Sequence, residues 1–362
     1  MDALVDDIEE GVPGDVAAQL ELARQCDAQG RSDVALQWLR RASATGDAGA
    51  MAALGRHLLT RQPLDIEAGA SATAAAAAAG SADAAHLMAI LAGGGLAVPQ
   101  SWRVALDYLQ RAAELGHTFA RTELAVLAGE PGVEAAIAAG ENIAPALWER
   151  LRKAIDVRTW LTVPRALSVS PDLRIAIAGN FIPPRICAWL IERSRPNLTR
   201  AQIDDPATGT ARYGGMRTNS AAEFALPDSG LILHLLRARI SALAGPPPSA
   251  MEGSTVLHYE AGQQFFPHYD FLDTANPGYA KQVAEYGQRV LTFLIYLNDG
   301  FEGGETDFPT IPWRFKGKTG DALFFWNVLP SGQPDRRTYH AGLPPESGEK
   351  WLFSQWVRGR LS

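Results

Sequence analysis

A register of small residues recurs three times within the first 130 residues of the chain. Gly46, Gly80 and Gly116 lie 34 and 36 positions apart, and each has an alanine four positions before it and another four positions after it. A period in the mid-thirties with small residues at helical spacing predicts stacked helical hairpins. Alanine lets two helices approach closely, and the glycine ends the first helix of each pair. The alanines are Ala42, Ala76 and Ala112 before the glycines, and Ala50, Ala84 and Ala120 after them.

The register extends upstream to Gly14, which is followed by Ala18 and Leu22. The second copy is degenerate, because Thr73 stands where the other two copies have leucine. A plain alanine-rich helical domain is the alternative, since such helices imitate this pattern. Residues 14–128 resemble the SEL-like class of tetratricopeptide-related repeats. That resemblance implies a solenoid with a concave surface that binds another protein.

Composition limits the function classes that need to be considered. The chain has 362 residues, of which 47% are apolar and 20% charged, as expected for an ordered protein long enough for two domains. The formal net charge of −7 argues against nucleic acid as a partner, because phosphate binding needs a basic surface. No run approaches the ~18 apolar residues of a membrane-spanning helix.

The first twenty residues and the two cysteines bear on the compartment. The N-terminal stretch is acidic and has neither the basic region nor the apolar core of a secretory signal. Cys26 and Cys187 lie in different halves of the chain, which does not suggest a disulfide framework. We therefore expect a cytoplasmic protein with free thiols.

The pattern changes after residue 170, where glycine, proline and aromatic residues become frequent and apolar residues alternate. "PPRICAWLIERSR" and residues 227–243 are predicted to be helices, while many strands with hairpin-length gaps predict an antiparallel sandwich or barrel. We predict an α+β multidomain protein with helical repeats at 1–130, a helical linker at 131–168 and a second domain at 169–362. The predicted strands are "LRIAIAGNFI", "STVLHYEAG", "RVLTFLIYLN", "DALFFWNVL" and "WLFSQWVRG".

The stretch "FFPHYDFLD" places His268 and Asp270 two positions apart, on one face of a strand if alternation holds. Chance predicts roughly one His-x-acid pair in a chain of this composition, and His258 with Glu260 forms a second. A buried hydrogen-bonded pair without metal is the alternative for either. His340 is the one histidine after His268. Two imidazoles and one carboxylate would leave three metal positions open, as in non-haem Fe(II) oxygenases.

Lys350 follows His340 by ten residues. A cation one hairpin beyond the distal histidine suits a dicarboxylate that chelates a metal with one end and pairs with the ammonium at the other.

Residues from about 170 to the C-terminus resemble the prolyl 4-hydroxylase group of iron- and 2-oxoglutarate-dependent dioxygenases. Five consecutive strands match in order and spacing, and "RTNSAAEF" at 217–224 resembles the segment before this core. The resemblance implies a double-stranded β-helix, or jelly roll, with its catalytic core at about 250–360. The matching stretches are "HYEAGQQFFPHYDFLD", "RVLTFLIYLNDGFEGGETDFP", "GDALFFWN" and "RRTYHAGLPPESGEKWLFSQWV".

The resemblance also implies roles for individual residues and a set of cofactors. Fe(II), 2-oxoglutarate as cosubstrate and O₂ are implied, with ascorbate expected as reductant. Tyr259 would face the site, so strand alternation turns His258 away from it. The stretch "LDTANPGYAKQVAEYG" corresponds to a flexible substrate-covering loop in relatives. The implied residues are His268, Asp270 and His340 for iron, Lys350, Tyr259, Thr306 and Tyr296 for 2-oxoglutarate, and Arg289, Trp356 and Glu252 for the substrate.

Three functions are consistent with these features. The first is hydroxylation of a prolyl residue in a protein or peptide, which the repeats recruit. The second is hydroxylation of a small molecule, such as a free amino acid or a natural-product intermediate. The third is a repeat-based binding scaffold whose oxygenase domain is vestigial, although a scaffold has no need of a complete ligand set. The target and the oligomeric state stay open.

Overall fold

The computed structural model of the protein describes residues 15–170 and 172–359. Gly14 of the predicted repeat register and the acidic residues of the first ten positions lie outside the described residues. The chain divides into two compact units, one up to Val157 together with Ala225–Leu235 and the other comprising Arg158–Phe224 and the residues from Leu236 onwards. The boundaries proposed from the sequence, 130/131 and 168/169, stay predictions.

Helical hairpins form the first unit, as the register of small residues predicts. Gly46, Gly80 and Gly116 follow the first helix of each hairpin in the left-handed region, with φ of +82°, +93° and +99°, which glycine adopts without steric cost. None of the described helices is long and apolar enough to cross a membrane. The helices of the chain are α1 (Val16–Ala28), α2 (Ser32–Ser43), α3 (Ala48–Leu58), α4 (Ile66–Ala78), α5 (Ala82–Gly94), α6 (Trp102–Glu114), α7 (Thr118–Ala128), α8 (Pro131–Ala138), α9 (Ala146–Ala154), α10 (Val157–Leu161), α11 (Pro184–Ser194), α12 (Gly230–Ala244) and α13 (Pro277–Tyr286).

The second helix of each hairpin begins with a side-chain cap just after the glycine. Asp47, Ser81 and His117 accept a hydrogen bond from the backbone N–H three residues on, which satisfies one of the unpaired donors of the first helical turn. The recurring alanine after each glycine is this N–H donor, and it is almost fully buried in all three copies. The register thus encodes a helix end, a cap and a close contact.

The degenerate second copy is packed through glycine rather than leucine. Thr73 is buried, and its hydroxyl donates to the backbone carbonyl of Gly69 at 2.7 Å. Gly55 of α3 lies against it, and a Cβ at Gly55 would be 2.4 Å from Oγ1 of Thr73. A Cβ at Gly69 would be 2.7 Å from Cγ of Leu59. Helices α3 and α4 can therefore approach each other closely because Gly55 and Gly69 have no side chain.

Antiparallel sheets form the second unit, which confirms the predicted jelly roll. The major sheet has the order β1-β2-β13-β9-β16-β7-β6-β3 and the minor sheet the order β12-β11-β14-β8, with β10-β15 and β4-β5 as separate pairs. The strands are β1 (Leu167–Ser170), β2 (Leu173–Ala178), β3 (Thr199–Arg200), β4 (Ile203–Asp204), β5 (Ala211–Arg212), β6 (Ser220–Glu223), β7 (Thr255–Tyr259), β8 (Phe265–His268), β9 (Gln288–Tyr296), β10 (Glu302–Gly303), β11 (Thr306–Phe308), β12 (Trp313–Phe315), β13 (Ala322–Trp326), β14 (His340–Gly342), β15 (Pro345–Ser347) and β16 (Lys350–Gly359).

The stretch that corresponds to a flexible loop in relatives contains helix α13 here. Pro277 stands in the first turn, where its missing N–H is not needed. The helix packs on the β4-β5 hairpin, since the hydroxyl of Tyr279 donates to the carbonyl of Asp204 and Gln282 donates to the carbonyl of Gly209. Gly278 lies so close that a Cβ there would be 2.2 Å from the backbone nitrogen of Gly209. Hairpin and helix thus form one packed element.

Adding one methyl group to α3 tests the packing of the degenerate repeat. We expect Gly55→Ala to destabilise the protein by about 1–3 kcal/mol because the new Cβ overlaps Thr73, although alanine is the better helix former. Gly132→Ala is the matched control, since a Cβ at Gly132 in α8 meets nothing within 4 Å. Denaturant unfolding followed by circular dichroism measures both. Equal midpoints for the two variants would contradict this account of the packing.

Candidate active site

Strands β8 and β14 place two imidazoles opposite each other. They pair antiparallel with His268 and His340 in direct register, and the ring centroids lie 4.3 Å apart. Side chains of directly opposed residues share one face of a sheet. Asp270 completes the group, with a carboxylate oxygen 3.5 Å from Nε2 of each histidine. One possible ligand atom from each of the three residues lies within 4.8 Å of the other two.

Asp270 does not lie on the strand that carries His268, so the expectation from alternation is wrong. Strand β8 ends at His268, and the chain then crosses towards β9 of the major sheet. There the backbone of Leu272 exchanges two hydrogen bonds with the side-chain amide of Gln288. Thr292 of β9 donates its hydroxyl proton to Oδ2 of Asp270 at 2.6 Å. His268 and Asp270 converge because one belongs to the minor sheet and the other is held by the major sheet.

Backbone carbonyls fix the orientation of both imidazoles. Nδ1 of His268 donates to the carbonyl of Phe266 at 2.8 Å, and Nδ1 of His340 donates to that of Thr338 at 2.9 Å. A carbonyl only accepts, so Nδ1 carries a proton in both rings and Nε2 is the nitrogen that faces the centre of the group. Burial, reinforced by the neighbouring His268, lowers the pKa of His340 to about 4. That ring is therefore neutral at pH 7.

The carboxylate of Asp270 is ionised despite its burial. Burial alone would raise its pKa, but the nearby His340 and His268 and the hydrogen bond from Thr292 outweigh that effect and hold the pKa well below its usual range. Two neutral imidazoles and one carboxylate form the donor set of non-haem Fe(II) sites. The Nδ1 hydrogen bonds are those that orient metal-binding histidines. Within residues 15–170 and 172–359, this is the one group of three or more His, Cys, Asp and Glu side chains close enough to hold an ion.

Lys350 provides a buried positive charge near this group. It begins β16 opposite Tyr259 of β7, and its side chain is fully buried. Nζ lies 5.1 Å and 5.6 Å from the ring centroids of Tyr259 and Tyr296 and has no hydrogen-bond partner among the described residues. Burial lowers the pKa of Lys350 to about 7, although Glu305 opposes the shift. A buried ammonium without an acceptor is costly, so the pocket suits a ligand that brings an anionic oxygen.

Hydroxyl groups surround the same pocket. The phenol of Tyr296 donates to the carbonyl of Phe315 at 2.8 Å and lies 2.9 Å from Oγ1 of Thr306. A phenol has one proton, so Thr306 is the donor between the two hydroxyls. Burial raises the pKa of Tyr259 to about 12 and raises that of Tyr296 as well. A Cβ at Gly342 would lie 3.3 Å from the Tyr259 oxygen, so glycine leaves space beside that phenol.

The three residues implied for the substrate form one cluster. The Arg289 guanidinium lies 3.7 Å from the ring centroid of Trp356 and donates from Nε and Nη2 to the two carboxylate oxygens of Glu252, at 2.8 Å and 3.1 Å. It also donates to Oδ2 of Asp204 at 3.2 Å. Arg358 forms a further ion pair with Glu252. Arg289 is 8% exposed, so two carboxylates and an aromatic face already surround it.

A single cleft of about 810 Å³ brings most of these residues together. Its walls come from the β4-β5 hairpin, from Arg217 and from both sheets of the second unit. Lys350 and Tyr296 are fully buried and do not line this cleft. The sequence-predicted residues that line the cleft are His268, Asp270, His340, Tyr259, Thr306, Arg289, Trp356 and Glu252.

Sequence reasoning missed several polar residues around the cleft. The sequence could have indicated Thr292, because a threonine interrupts the apolar run of a fully buried strand. It could not have indicated Asn327, which donates to Thr292, or Asp204. Arg217 lies 4.8 Å above the ring of Phe265, which also stacks on His268 with 3.5 Å between centroids. The side-chain partners of Thr292, Asn327 and Asp204 are distant in sequence, which hides them from local patterns.

His258 lies outside the site, as strand alternation predicts. Its ring packs on Trp351 with centroids 4.2 Å apart, and Nε2 lies 2.7 Å from a carboxylate oxygen of Glu349. The second His-x-acid pair of the sequence is therefore structural.

Removing the buried ammonium should stabilise the ligand-free protein. The pKa of Lys350 falls from 10.5 to about 7 on folding, so its cost is complete below pH 7 and disappears as the pH rises to 10.5. One pKa unit corresponds to about 1.4 kcal/mol, which makes the gain several kcal/mol. We expect Lys350→Met to melt at a higher temperature than wild type at pH 6, by a margin that shrinks above pH 7. Calorimetric scans from pH 6 to 10 measure this margin, and one that grew with pH would contradict the assignment.

Comparison with known proteins agrees with this geometry. Residues 254–358 match the 2OG-Fe(II) oxygenase superfamily. The chain is 34% identical over 210 residues to probable prolyl 4-hydroxylase 10 of Arabidopsis thaliana, which covers 52% of this chain and 70% of the relative. The 2OG complex of a viral collagen prolyl hydroxylase from Paramecium Bursaria Chlorella virus-1 is 27% identical, covers 53% of this chain and 99% of its own, and has a TM-score of 0.40. A Sel1 repeat protein from Oxalobacter formigenes is 28% identical over 33% of this chain and 95% of its own, with a TM-score of 0.28. The chain belongs to the prolyl 4-hydroxylase family of Fe(II)- and 2-oxoglutarate-dependent dioxygenases.

Proposed function

We propose that this dioxygenase hydroxylates a prolyl residue of a protein or peptide, with 2-oxoglutarate converted to succinate and CO₂. The observation that carries the proposal is the group of His268, Asp270 and His340, which opens into the same cleft as the stacked pair of Arg289 and Trp356. A metal-binding group and a possible substrate surface thus share one cavity. The prolyl 4-hydroxylases of Arabidopsis thaliana are the relatives that suggest the residue type.

In this proposal His268, Asp270 and His340 hold the iron. When bound, Fe(II) supplies the activation of O₂ that, together with oxidative decarboxylation of 2-oxoglutarate, delivers one oxygen atom to the substrate C–H bond. The protein residues bind and orient the reactants. The hydrogen bonds to Phe266 and Thr338 place a proton on Nδ1 of both imidazoles, so Nε2 of each histidine would bind the metal together with the carboxylate of Asp270.

Lys350 binds the distal carboxylate of 2-oxoglutarate, and Tyr259 and Thr306 contribute hydroxyl groups. The unpartnered Nζ supports this role, since a carboxylate would supply the missing acceptor and favour the charged form of the lysine. Thr306 has to turn its proton from Tyr296 to the ligand to take part. Tyr296 then continues to donate its hydrogen bond to the carbonyl of Phe315 and supports the pocket.

The size and shape of the cleft favour a polypeptide over a free amino acid. A volume of about 810 Å³ lies in the upper part of the 300–1,000 Å³ range of ligand pockets, more than 2-oxoglutarate and one amino acid would fill. Trp356 is half-buried at the cleft wall. An aromatic face offers a flat apolar contact that suits a proline ring. Turnover assays with free amino acids test small-molecule hydroxylation.

We further propose that the helical repeats recruit the protein substrate. Stacked helical hairpins present extended surfaces to partners, and here they belong to the same chain as the dioxygenase. Ascorbate is proposed as the reductant that returns the iron to Fe(II). A cytoplasmic location is proposed as well, and two free, buried cysteines, Cys26 and Cys187, support it.

Turnover assays separate the possible substrates. We expect purified protein with Fe(II), ascorbate and 2-oxoglutarate to release succinate faster with proline-containing peptides than without substrate, and free proline to give no such increase. Stimulation by free amino acids alone would contradict the peptide proposal. His268→Ala should abolish turnover. His258→Ala removes the histidine of the second His-x-acid pair and should keep most of it.

An inactive variant of the full chain can identify the substrate protein. His340→Ala lacks one proposed iron ligand but keeps the other residues of the cleft wall, so it should retain bound substrate proteins. Mass spectrometry of captured proteins, before and after addition of active enzyme, should show one added oxygen on a proline. Added oxygen on another residue type, and none on proline, would overturn the prolyl assignment.

A further inference from the structure

A chain of two hydrogen bonds connects the carboxylate of Asp270 to the major sheet. Nδ2 of Asn327, the residue after β13, donates to Oγ1 of Thr292 at 2.9 Å. The Thr292 hydroxyl donates to Oδ2 of Asp270 at 2.6 Å. Both side chains are buried, Thr292 at 1% and Asn327 at 0% exposure. Water therefore does not compete for either hydrogen bond.

The two hydrogen bonds have a fixed donor–acceptor direction. An amide nitrogen only donates, so Asn327 takes a lone pair of the Thr292 oxygen and directs the one hydroxyl proton to Asp270. Oδ1 of Asn327 has no hydrogen-bond partner among the described residues, so its side chain makes this hydrogen bond alone. Oδ2 of Asp270 is thereby tied to β9 while it also lies 3.5 Å from Nε2 of His340, and Oδ1 lies 3.5 Å from Nε2 of His268.

The backbone of Asn327 supports a second member of the metal group. Its carbonyl accepts from the backbone N–H of Asp335 at 2.9 Å. The Asp335 carbonyl in turn accepts from the hydroxyl of Thr338 at 2.8 Å, and the Thr338 carbonyl accepts from Nδ1 of His340. A side-chain substitution at 327 therefore tests the support of Asp270 while the backbone link to His340 is retained.

We propose that Thr292 and Asn327 are positioning residues that fix the rotation of the Asp270 carboxylate, so that it faces the metal group in one orientation. The inference rests on the proposed iron site and concerns residues that do not touch the metal. Without the hydroxyl, the carboxylate can rotate about its χ2 bond and leave this orientation. Residues that orient metal ligands in this way typically contribute about 10–100-fold to metal affinity.

Metal binding by the full chain tests the proposal without relying on turnover. The probes are Fe(II) under anaerobic conditions and Co(II), titrated by calorimetry and by the visible absorption of bound Co(II). Thr292→Val keeps the shape of the side chain and should weaken both Kd values about 10–100-fold, with a changed Co(II) spectrum. Thr292→Ser keeps the hydroxyl and should restore the wild-type Kd and spectrum, which a purely space-filling role of Thr292 would not predict.

A matched control removes a buried hydroxyl elsewhere. Thr73→Val eliminates the hydrogen bond to the Gly69 carbonyl in the helical unit and should lower stability without changing metal affinity. Thr292→Val with wild-type affinity and spectrum would overturn the proposal.

Asn327→Leu provides a second variant in case Thr292→Val does not fold. It is close to asparagine in size but removes the donor to Thr292, so the hydroxyl proton is no longer directed to Asp270 and metal binding should weaken as well. Wild-type affinity in Asn327→Leu would overturn the proposal. If the wild-type protein itself bound neither metal, the proposed function would fail instead, which is a different result from equal affinities across the variants.

Discussion

The antiparallel pairing of β14 with β8 is the interaction on which the whole site depends. It joins His268 and His340, which are 72 positions apart in the sequence, in direct register with their ring centroids 4.3 Å apart. Strand β14 also pairs with β11, where Gly342 lies opposite Thr306. Residues two apart on a strand share a face, so one register places His340 in the metal group and Gly342 beside the phenol of Tyr259. A slip by one residue would remove both from the cleft.

The site buries two charges and treats them in opposite ways. Asp270 is surrounded by groups that favour its ionised form, so its burial is compensated before any ligand arrives. Lys350 is buried without an acceptor, and its burial disfavours the charged form. The ligand-free protein is therefore strained at the lysine and not at the carboxylate. This asymmetry is typical of a binding site that sacrifices stability for affinity, and it supports the proposed contact between Lys350 and the distal carboxylate of 2-oxoglutarate.

Local patterns were sufficient to predict what lies within one strand or one hairpin. The glycine–alanine register predicted the helix ends and contacts of the first unit, whereas the metal group was predicted from the resemblance to prolyl 4-hydroxylases. Local patterns were insufficient for Asp270, because its position depends on Gln288 and Thr292 of another sheet. The same holds for Asp204, whose contact with Arg289 joins residues 85 positions apart. Hydrogen bonds between separate sheets have no period, so the sequence alone could not reveal them.

Two of the buried cations of the cleft region, Lys350 and Arg289, impose different demands on what binds. Lys350 has an open position for an anionic oxygen, whereas Arg289 is already saturated by Glu252 and Asp204 and stacked on Trp356. A substrate that approached Arg289 with a carboxylate would have to displace two existing ones. Under the proposed substrate role of Trp356, the surface around it selects by shape and apolar contact rather than by charge. A neutral, rigid ring within a polypeptide meets that demand.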